Sequence, residues 1–318
     1  MYSLSIIGGG MISCGYDSPS SKEILTHLHA SLVHKQIKLD AVVEIDINQK
    51  KKIKEKWGEE IEIFSNLETL FKNYKSDILV VATPTSTHLQ VIKDIFTNYE
   101  PKLILCEKPV VQNIMEFIEL KSLESTKSTK LLTNYIRRFD PSLNELVRII
   151  KNSTSRINHF YGTFTKDFLH NGSHMIDLIH MLIGQIDYIQ VLNQEIIDNE
   201  LFGQFLIKTE KANGVISNIN DSSLSLFELT IYTDKAKVEI IGANQDIRIH
   251  YINESTEFNG YKSFLIEKKL QKTLDKYGYN TLEFLIKIIE NDEIYSNIKI
   301  EQDIINEFLL QTQQKIIG

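Results

Sequence analysis

The chain has 318 residues, 42% of them hydrophobic and 24% charged, with a formal net charge of −7. This length is enough for two domains with separate hydrophobic cores, whereas the negative charge argues against a nucleic-acid partner, which requires a basic surface. No apolar run approaches the ~20 residues of a membrane span, no signal peptide precedes the first predicted strand, and two cysteines are too few for a disulfide framework, so we expect a cytoplasmic protein.

The first predicted strand, residues 3–7, leads directly into three glycines at positions 8–10. A dinucleotide-binding loop has the pattern Gly-x-Gly-x-x-Gly between a strand and a helix. Its first two glycines allow a tight turn and a close approach to a pyrophosphate, and the third lets the helix pack on the strand. Gly8 and Gly10 take the first two places, and the small Ser13 replaces the third glycine. The sequence therefore predicts a nucleotide-binding loop.

The segment after these glycines differs from the usual pattern, because a loop at 15–20 interrupts the helix. We expect a short helical turn over residues 10–14 and a main helix that begins at a capping box of Ser20 and Glu23. The apolar face of this helix is formed by Ile24, Leu28 and Leu32. Two interpretations of the loop remain open: it reaches over the cofactor or the substrate, or it is a surface insertion.

An acidic residue ends the second predicted strand, 39–43. A carboxylate at this place accepts hydrogen bonds from the ribose of a dinucleotide and would repel a 2′-phosphate. Glu44 fits this role, and Ile45 stands directly after it where an arginine would suit NADP. We therefore expect NAD rather than NADP as the cofactor.

Strands and helices continue to alternate through the first 135 residues, which predicts a parallel, doubly wound sheet. A lysine-rich helix is predicted over 48–57, and Ser65 with Glu68 forms a second capping box. The remaining strands of this sheet are predicted at 60–64, 77–82, 102–105 and 130–135.

A charged pair follows the buried strand at 102–105, where Glu107 and Lys108 come directly after Cys106. Charged side chains are costly to place at such a strand end unless they face a cleft. Pro109 ends the strand and biases Lys108 towards an extended backbone, and ligands of open α/β sheets bind at this carboxyl edge. The alternative interpretation is a strand end stabilised by a salt bridge.

The second half of the chain is rich in extended segments, and the alternation at 227–232 predicts a sheet with one covered face. Strands are predicted at 157–164, 186–192, 202–209, 214–219, 225–233, 237–241 and 247–251, and amphipathic helices at 270–290 and 302–315. We place the domain boundary near residue 120. An NAD-binding domain then covers 1–120, with its sixth strand at about 130–135, and a substrate-binding and oligomerisation domain covers 121–318.

Several short segments occur in the order found in the glucose–fructose oxidoreductase / inositol dehydrogenase (Gfo/Idh/MocA) family, which residues 1–185 resemble. They are the glycine loop, Glu44, and the segments at 82–88, 107–109, 134–141 and 172–178. The resemblance implies an α/β fold with an N-terminal Rossmann domain and a C-terminal α/β domain whose open, largely antiparallel mixed sheet often forms the oligomer interface. We therefore expect a homodimer or homotetramer.

The resemblance also implies a reaction, hydride transfer between a nicotinamide cofactor and a secondary carbinol of a sugar, cyclitol or nucleotide-linked sugar. Lys108 is expected near both nicotinamide and substrate, and His174 is expected to be the acid/base or its partner. Ser173 is a candidate N-cap, and a helix N-terminus would keep the ring of His174 neutral and able to accept a proton. Asp177, one turn later, is expected to orient that ring.

Two sets of binding residues follow from the same resemblance. The expected cofactor contacts are Gly8, Gly10, Met11, Ile12, Glu44, Ala82, Thr83, Pro84, Thr87, His88, Glu107 and Lys108. The expected substrate contacts are Lys108, Arg137, His170, Asn171 and His174.

One position departs from the family pattern, in which an aspartate often stands four residues before the histidine. His170 stands there, so the usual carboxylate partner is missing from the acid/base set. His170 and His174 also have the spacing of metal ligands, with His180 nearby, but without a convergent carboxylate or cysteine this is a thin ligand set, and we expect no metal. Three histidines of the first helix are interpreted as surface or packing residues, namely His27, His29 and His34.

Two other functions remain open on this fold. One is a non-catalytic regulator that senses a sugar or a dinucleotide, and the other is an NAD-dependent glycosidase, which some relatives are. The presence of both Lys108 and His174 favours the oxidoreductase, because a sensor does not require proton transfer.

Overall fold

The computed structural model describes residues 1–198, 200–221, 223–242 and 245–317. The chain divides into two compact units, one formed by Met1–Phe139 and Asp275–Gln314 and the other by Asp140–Leu274 with the C-terminal residues from Lys315. This division differs from the predicted boundary near residue 120, which lies within a helix. That helix buries Phe117 and Leu120 in the apolar core of the first sheet, so the chain cannot be divided there.

The first unit contains a six-stranded sheet in the order β3-β2-β1-β4-β5-β6. Its strands are β1 (Tyr2–Ile7), β2 (Ile37–Val43), β3 (Ile63–Phe64), β4 (Ile78–Val81), β5 (Leu103–Cys106) and β6 (Lys130–Thr133). Each neighbouring pair runs parallel. The strands are apolar and β4 and β5 are buried along their whole length, as expected for a sheet with helices on both faces. The predicted Rossmann arrangement is confirmed.

The α-helices of the described chain are α1 (His27–Val33), α2 (Ile47–Trp57), α3 (Leu67–Asn73), α4 (Thr85–Asn98), α5 (Ile114–Glu124), α6 (Pro141–Asn152), α7 (Ser173–Leu182), α8 (Tyr277–Glu290) and α9 (Asp292–Ile317). After the second sheet, helix α8 returns to the first unit, where Leu282 and Leu285 join the cluster that contains Leu4 and Ile6 of β1. This packing explains why residues 275–314 belong with the nucleotide-binding sheet. None of the described helices has the length and apolar character needed to cross a membrane.

The start of α1 differs from the prediction, which placed a capping box at Ser20 and Glu23. The helix begins at His27, and the hydroxyl of Thr26 caps it by accepting a hydrogen bond from the amide of His29 at 3.1 Å. Ser20 and Glu23 precede the helix in a segment without regular structure. The predicted turn after the glycines is confirmed as a short π-helical turn over Met11–Gly15.

The start of α3 differs in a similar way. The predicted box of Ser65 and Glu68 is replaced by Asn66, whose side chain accepts from the amide of Thr69 at 2.8 Å. Two residues with capping side chains stand next to each other here, and both Ser and Asn are favoured N-caps, so the pattern alone does not choose between them.

The loop between the π-helical turn and α1 is anchored to the body of the first unit. The amide of Ile24 donates to the carbonyl of Asp275 at 2.9 Å, and the amide of Gly278 donates back to the carbonyl of Ile24 at 3.0 Å. The carboxylate of Asp17 accepts from the amides of Leu25 and Thr26 at 2.6 and 3.1 Å. The loop is therefore a fixed part of this unit.

The second unit contains an eight-stranded sheet in the order β14-β13-β12-β11-β7-β10-β9-β8. Its strands are β7 (Ile157–Thr165), β8 (Ile186–Ile197), β9 (Glu200–Thr209), β10 (Asn213–Ile219), β11 (Phe227–Thr233), β12 (Ala236–Ile241), β13 (Asp246–Glu254) and β14 (Lys262–Lys269). β7 and β10 run parallel, and the remaining neighbours run antiparallel. The predicted mixed, largely antiparallel sheet is confirmed, although β14 was not predicted.

Candidate functional site

The ends of four parallel strands lie side by side at the carboxyl edge of the first sheet. Backbone hydrogen bonds continue one residue beyond the strands, since the amide of Ala82 donates to Ile7 at 2.8 Å and that of Glu107 to Val81 at 2.8 Å. Asn134 follows β6 in the same way. This is the edge at which open α/β sheets bind their ligands.

The glycine loop has the geometry that a dinucleotide requires. Gly8 has a φ of +100°, and a side chain there would begin 2.6 Å from the carbonyl oxygen of Ala82. Gly10 is exposed and a Cβ on it would meet nothing within 4 Å, so the backbone is open on that side. Ser13 is fully buried, which explains why a small residue replaces the third glycine. These residues fit a pyrophosphate against the loop.

Glu44 lies between the glycine loop and the start of α2. One oxygen of its carboxylate accepts from the amide of Gly9 at 2.8 Å, and the other accepts from the amide of Asp46 at 2.8 Å. Both bonds hold the carboxylate at the end of β2, the place from which an acid reaches the ribose of a dinucleotide. Ile45 is exposed and offers no cation to a 2′-phosphate.

His88 connects the loops that follow β4 and β5. Its ring is buried, with Nδ1 3.0 Å from the carbonyl oxygen of Pro109 and Nε2 2.8 Å from that of Thr83. Thr87 supports the same loop by donating to the carbonyl of Pro84 at 2.7 Å. Both nitrogens of the His88 ring contact backbone carbonyls. This predicted cofactor residue therefore links the two loops that follow β4 and β5 at the carboxyl edge of the sheet.

Glu107 is surrounded by hydrogen-bond donors that sequence analysis missed. Its Oε1 accepts from Nε2 of His27 at 2.9 Å and from the side-chain amide of Asn134 at 2.6 Å. Burial by itself raises the pKa of Glu107, but the hydrogen bond and charge of His27, with Asn134 and Lys108, lower it below its usual value. Glu107 is thus a carboxylate at neutral pH, directly before the half-buried Lys108.

His27, His29 and His34, interpreted as surface or packing residues, are all buried, which leaves the packing interpretation. His27 contacts Glu107, His29 Nδ1 lies 2.9 Å from Asp17, and His34 Nε2 lies 3.1 Å from Glu283. The contact between His27 and Glu107 joins positions 80 residues apart, and no local pattern in the sequence predicts it.

A second cluster of polar residues lies in the second unit, where β7 leads into α7. Asp167 is buried, and one of its oxygens accepts from the amide of His170 at 2.8 Å. Its other oxygen forms a short hydrogen bond with Nδ1 of the same histidine. A carboxylate therefore does accompany His170, three residues before it. The place four residues before His174 is still occupied by a histidine, so the absence of the usual aspartate from the acid/base set stays a prediction.

His174 does not lie at a helix N-terminus as predicted. A π-helical turn over Phe168–Gly172 continues directly into α7, and Gly172 has helical angles with a φ of −61°. Asp167 caps this continuous run, while the hydroxyl of Ser173 donates to the carbonyl of His170 at 2.9 Å. The helix terminus therefore lies near His170. His174 is largely buried and Asp177 completely so.

The remaining predicted substrate residues occupy different surroundings. Asn171 donates its side-chain amide to the carbonyl of Thr165 at 2.7 Å, and Arg137 is buried in a 3-10 turn after β6 of the first unit. Among the described residues, the cluster with metal-ligating side chains in reach of one another is Asp167, His170 and Glu200, whose ligand atoms lie within 4.8 Å. His170, His174 and His180, whose spacing was considered above, do not form such a group within those residues.

Comparison with known sequences connects this edge to a cofactor. Residues 4–135 match the Gfo/Idh/MocA family, described as an oxidoreductase family with an NAD-binding Rossmann fold. An inositol 2-dehydrogenase from Rubrobacter xylanophilus is 26% identical over 118 residues, which cover 36% of this chain and 33% of that enzyme. A myo-inositol 2-dehydrogenase from Thermotoga maritima is 21% identical over 241 residues, or 69% of each chain. The match to the first enzyme thus spans a third of its length.

Solved structures resemble the whole chain in fold. A dehydrogenase from Chromobacterium violaceum superposes with a TM-score of 0.75 at 14% identity, covering 99% of this chain and 94% of that one. A 3-ketoreductase from Actinomadura kijaniata in complex with NADP superposes with a TM-score of 0.72 at 13% identity, covering 99% and 97%. At these identities the likeness concerns the fold alone.

Proposed function

We propose that this chain, whose residues 4–135 match the Gfo/Idh/MocA family of oxidoreductases, belongs to that family and transfers a hydride between NAD and a secondary carbinol of a sugar, cyclitol or nucleotide-linked sugar. The observation that supports this best is the position of Lys108. It directly follows an ionised Glu107 at the carboxyl edge of a sheet whose glycine loop fits a pyrophosphate. A cation at this edge suits a reaction in which an alcohol oxygen gains negative charge.

The cofactor would be held by residues of the first unit, and when bound it accepts or gives the hydride. The amides of the glycine loop, including Met11 and Ile12, would face its phosphates, and Glu44 would accept hydrogen bonds from its ribose. The segment from Ala82 to Thr87 would line the edge beside it. Glu44 is the reason to propose NAD as the preferred form, because its charge repels a 2′-phosphate.

The chain itself would handle the proton of the alcohol. Lys108 would stabilise the alkoxide that develops at the carbinol oxygen, and His174 would exchange the proton as acid or base, with Asp177 fixing its ring. Arg137, His170 and Asn171 would contact other hydroxyl groups of the substrate. A base with a pKa near neutrality is the most effective in such a step.

We also propose that the chain forms a homodimer or homotetramer through the second sheet. Helix α7 lies on one face of this sheet, where the missing Cβ of Gly162 would be 3.0 Å from the sulfur of Met175. The opposite face carries exposed aromatic side chains, and such patches mark association surfaces.

The decisive experiment combines cofactor binding with a substrate panel. We expect purified protein to bind NAD in calorimetry and to change nicotinamide absorbance with at least one polyol from a panel that includes myo-inositol. Binding of NAD and a polyol with no turnover would favour a sensor, and release of an aglycone in product analysis would favour a glycosidase. No binding of either dinucleotide would contradict the proposal.

A further inference from the structure

We propose that Asp167 and His170 act as one group, a carboxylate–imidazole pair that presents the lone pair on Nε2 of His170 to a hydroxyl group of the substrate. His170 would be the contact residue and Asp167 the positioning residue. The inference rests on the proposed function, because it assigns this pair to the substrate of that reaction.

The hydrogen bonds of Asp167 determine which nitrogen of the ring carries the proton. One carboxylate oxygen accepts a hydrogen bond from the backbone amide of His170 at 2.8 Å, and the other is hydrogen-bonded to Nδ1 of the ring. An ionised carboxylate only accepts hydrogen bonds, so Nδ1 must donate. In a neutral imidazole the lone pair then lies on Nε2, which becomes an acceptor for a hydroxyl proton.

Asp167 keeps its charge at neutral pH. Burial raises its pKa, but the hydrogen bond and charge of His170, together with the amides of His170 and Leu169, lower it below the usual value. The same side chain therefore supplies both the negative charge and the fixed geometry that an imidazole acceptor requires.

The backbone that carries Asp167 is fixed in an unusual conformation. Lys166 has a φ of +71°, a region that residues other than glycine seldom adopt. Its carbonyl accepts from the side-chain amide of Asn218 on β10 at 3.0 Å, and the same amide nitrogen bonds to the carbonyl of Leu201 on β9 at 2.9 Å. The strands β9 and β10 thus fix the turn that orients Asp167. Residues other than glycine with a positive φ cluster at functional sites.

A purely structural role leaves part of this arrangement unexplained. Capping the helical run requires one carboxylate oxygen, which the amide of His170 already uses. The second bond fixes a ring whose side chain is 54% exposed, so it does not serve packing of the core. Glu200 is the other acidic group near the pair, and a divalent metal shared by all three is the competing possibility.

The first test reads the tautomer directly by NMR of protein labelled with 15N-histidine, with His170→Gln to assign the signal. We expect the Nδ1–H form in the unmodified protein. In Asp167→Asn we expect the Nε2–H form, because the amide donates to Nδ1 while asparagine still caps the helix. Asp221→Asn is the matched control, since this exposed carboxylate also accepts from a backbone amide and a side chain. An Nε2–H form in the unmodified protein, or no change in Asp167→Asn, would overturn the proposal.

The second test measures oxidation of myo-inositol with NAD. Asp167→Asn and His170→Asn should each raise KM about tenfold, with kcat and NAD affinity nearly unchanged, as expected for losing a contact made equally in ground and transition states. The double variant should be no worse than His170→Asn, because both changes remove one group. Additive effects, or a fall in kcat alone, would contradict the pair.

The two tests separate this inference from the proposed function. If the unmodified protein does not oxidise myo-inositol, the proposed function fails for that substrate and the NMR result alone decides on the pair. Calorimetry with Zn²⁺ covers the competing site: submicromolar binding that His170→Asn abolishes would overturn the pair in favour of a metal, and no binding would support it.

Discussion

Glu107 and Lys108 are neighbours with opposite charges, and their surroundings give them different tasks. Glu107 is hydrogen-bonded to His27 and Asn134, and its lowered pKa makes it a poor base near neutrality. The charge of the adjacent Lys108 contributes to this lowering. At the scale of single residues, we therefore expect Glu107 to stabilise the carboxyl edge of the first sheet. Lys108 is the residue whose removal should lower turnover.

Replacing Lys108 by alanine should lower turnover at least about a hundredfold, the usual scale for a positioned acid/base or charge-stabilising group. Steady-state assays would measure turnover, and calorimetry should show that NAD binding remains. Lys102→Ala is the matched control, because this exposed lysine precedes β5 and pairs with Asp77 at 2.9 Å. Near-normal turnover in Lys108→Ala would mean that the lysine only completes a salt-bridged strand end.

Glu44 should make the protein bind NAD more tightly than NADP. Calorimetric titration with both dinucleotides measures the preference, and Glu44→Gln should reduce it because the repulsion of the 2′-phosphate is lost. Glu68→Gln serves as the control, since Glu68 is an exposed partner of Lys72 on α3. Equal or tighter binding of NADP by the unmodified protein would remove the basis for the role of Glu44.

His174 and His170 should respond differently to substitution by asparagine. His174→Asn should depress turnover and remove one ionisation from the pH–rate profile, because it would lose the proton-exchanging group. His170→Asn should mainly raise KM. The opposite result, in which His170→Asn abolishes turnover and His174→Asn is mild, would exchange the two roles.

At the scale of elements, the sequence predicted those strands whose residues are apolar because they are buried. The strands β4 and β5 are short apolar runs that are buried along their whole length, so their composition identifies them. The strand β14 escaped prediction because nearly all of its residues are exposed and it lacks an apolar stripe. The caps were misplaced where several Ser, Thr and Asn residues compete, because side-chain geometry decides between them.

The sequence predicted only those parts of the candidate site whose residues are contiguous in one segment. The glycine loop and the Glu-Lys-Pro segment are contiguous, so their pattern was visible. The partnership of His27 with Glu107 depends on a long-range contact between the first residue of α1 and the residue that follows β5, which no local pattern encodes. The bond between Asp167 and His170 is local, but it depends on a π-helical turn that continues into α7, whereas Ser173 was expected to cap the start of that helix.

Asp17 should stabilise the first unit in a pH-dependent way. It is buried and accepts from Leu25, Thr26 and His29. Burial raises its pKa, but these hydrogen bonds lower it overall. Its contribution is therefore present above the unfolded value of about 3.9 and is lost as the pH falls through the lower folded value.

Asp17→Asn should lower the free energy of unfolding by about 1.5–3 kcal/mol at neutral pH, the range for hydrogen bonds to a charged group. Denaturant titrations at several pH values would show this difference shrinking below about pH 3.9. Asp94→Asn is the control, because this exposed carboxylate accepts from one glutamine. A difference that is equally large in acid would contradict the assignment.

At the scale of the whole molecule, the chain leaves the first unit after Phe139 and returns to it at Asp275. The second unit is thus an insertion between two parts of the nucleotide-binding unit. A boundary in the sequence that divides the chain once cannot describe this arrangement. The apolar stripe of α8 was visible in the sequence, but its partners Leu4 and Ile6 of β1 lie at the opposite end of the chain.

The open face of the second sheet carries a row of aromatic rings. His159 of β7 stacks on Tyr232 of β11 with ring centroids 4.8 Å apart, and Tyr232 contacts Phe264 of β14 at 6.4 Å. Tyr161 extends the row at 5.2 Å from His159 and is 54% exposed. A row of aromatic rings on one face of a sheet is a surface that a second copy can cover.

Tyr161→Glu should therefore dissociate the oligomer. Sedimentation velocity of the unmodified protein should show a dimer or tetramer, and the variant should shift to the monomer, because a carboxylate buried in an apolar interface without a partner is strongly unfavourable. Met115→Glu is the matched control, since Met115 is 68% exposed on α5 of the first unit and does not belong to the sheet. Thermal unfolding of both variants would separate dissociation from loss of fold. An unmodified protein that sediments as a monomer over a wide concentration range, or a Tyr161→Glu variant that remains assembled, would exclude this face as the interface.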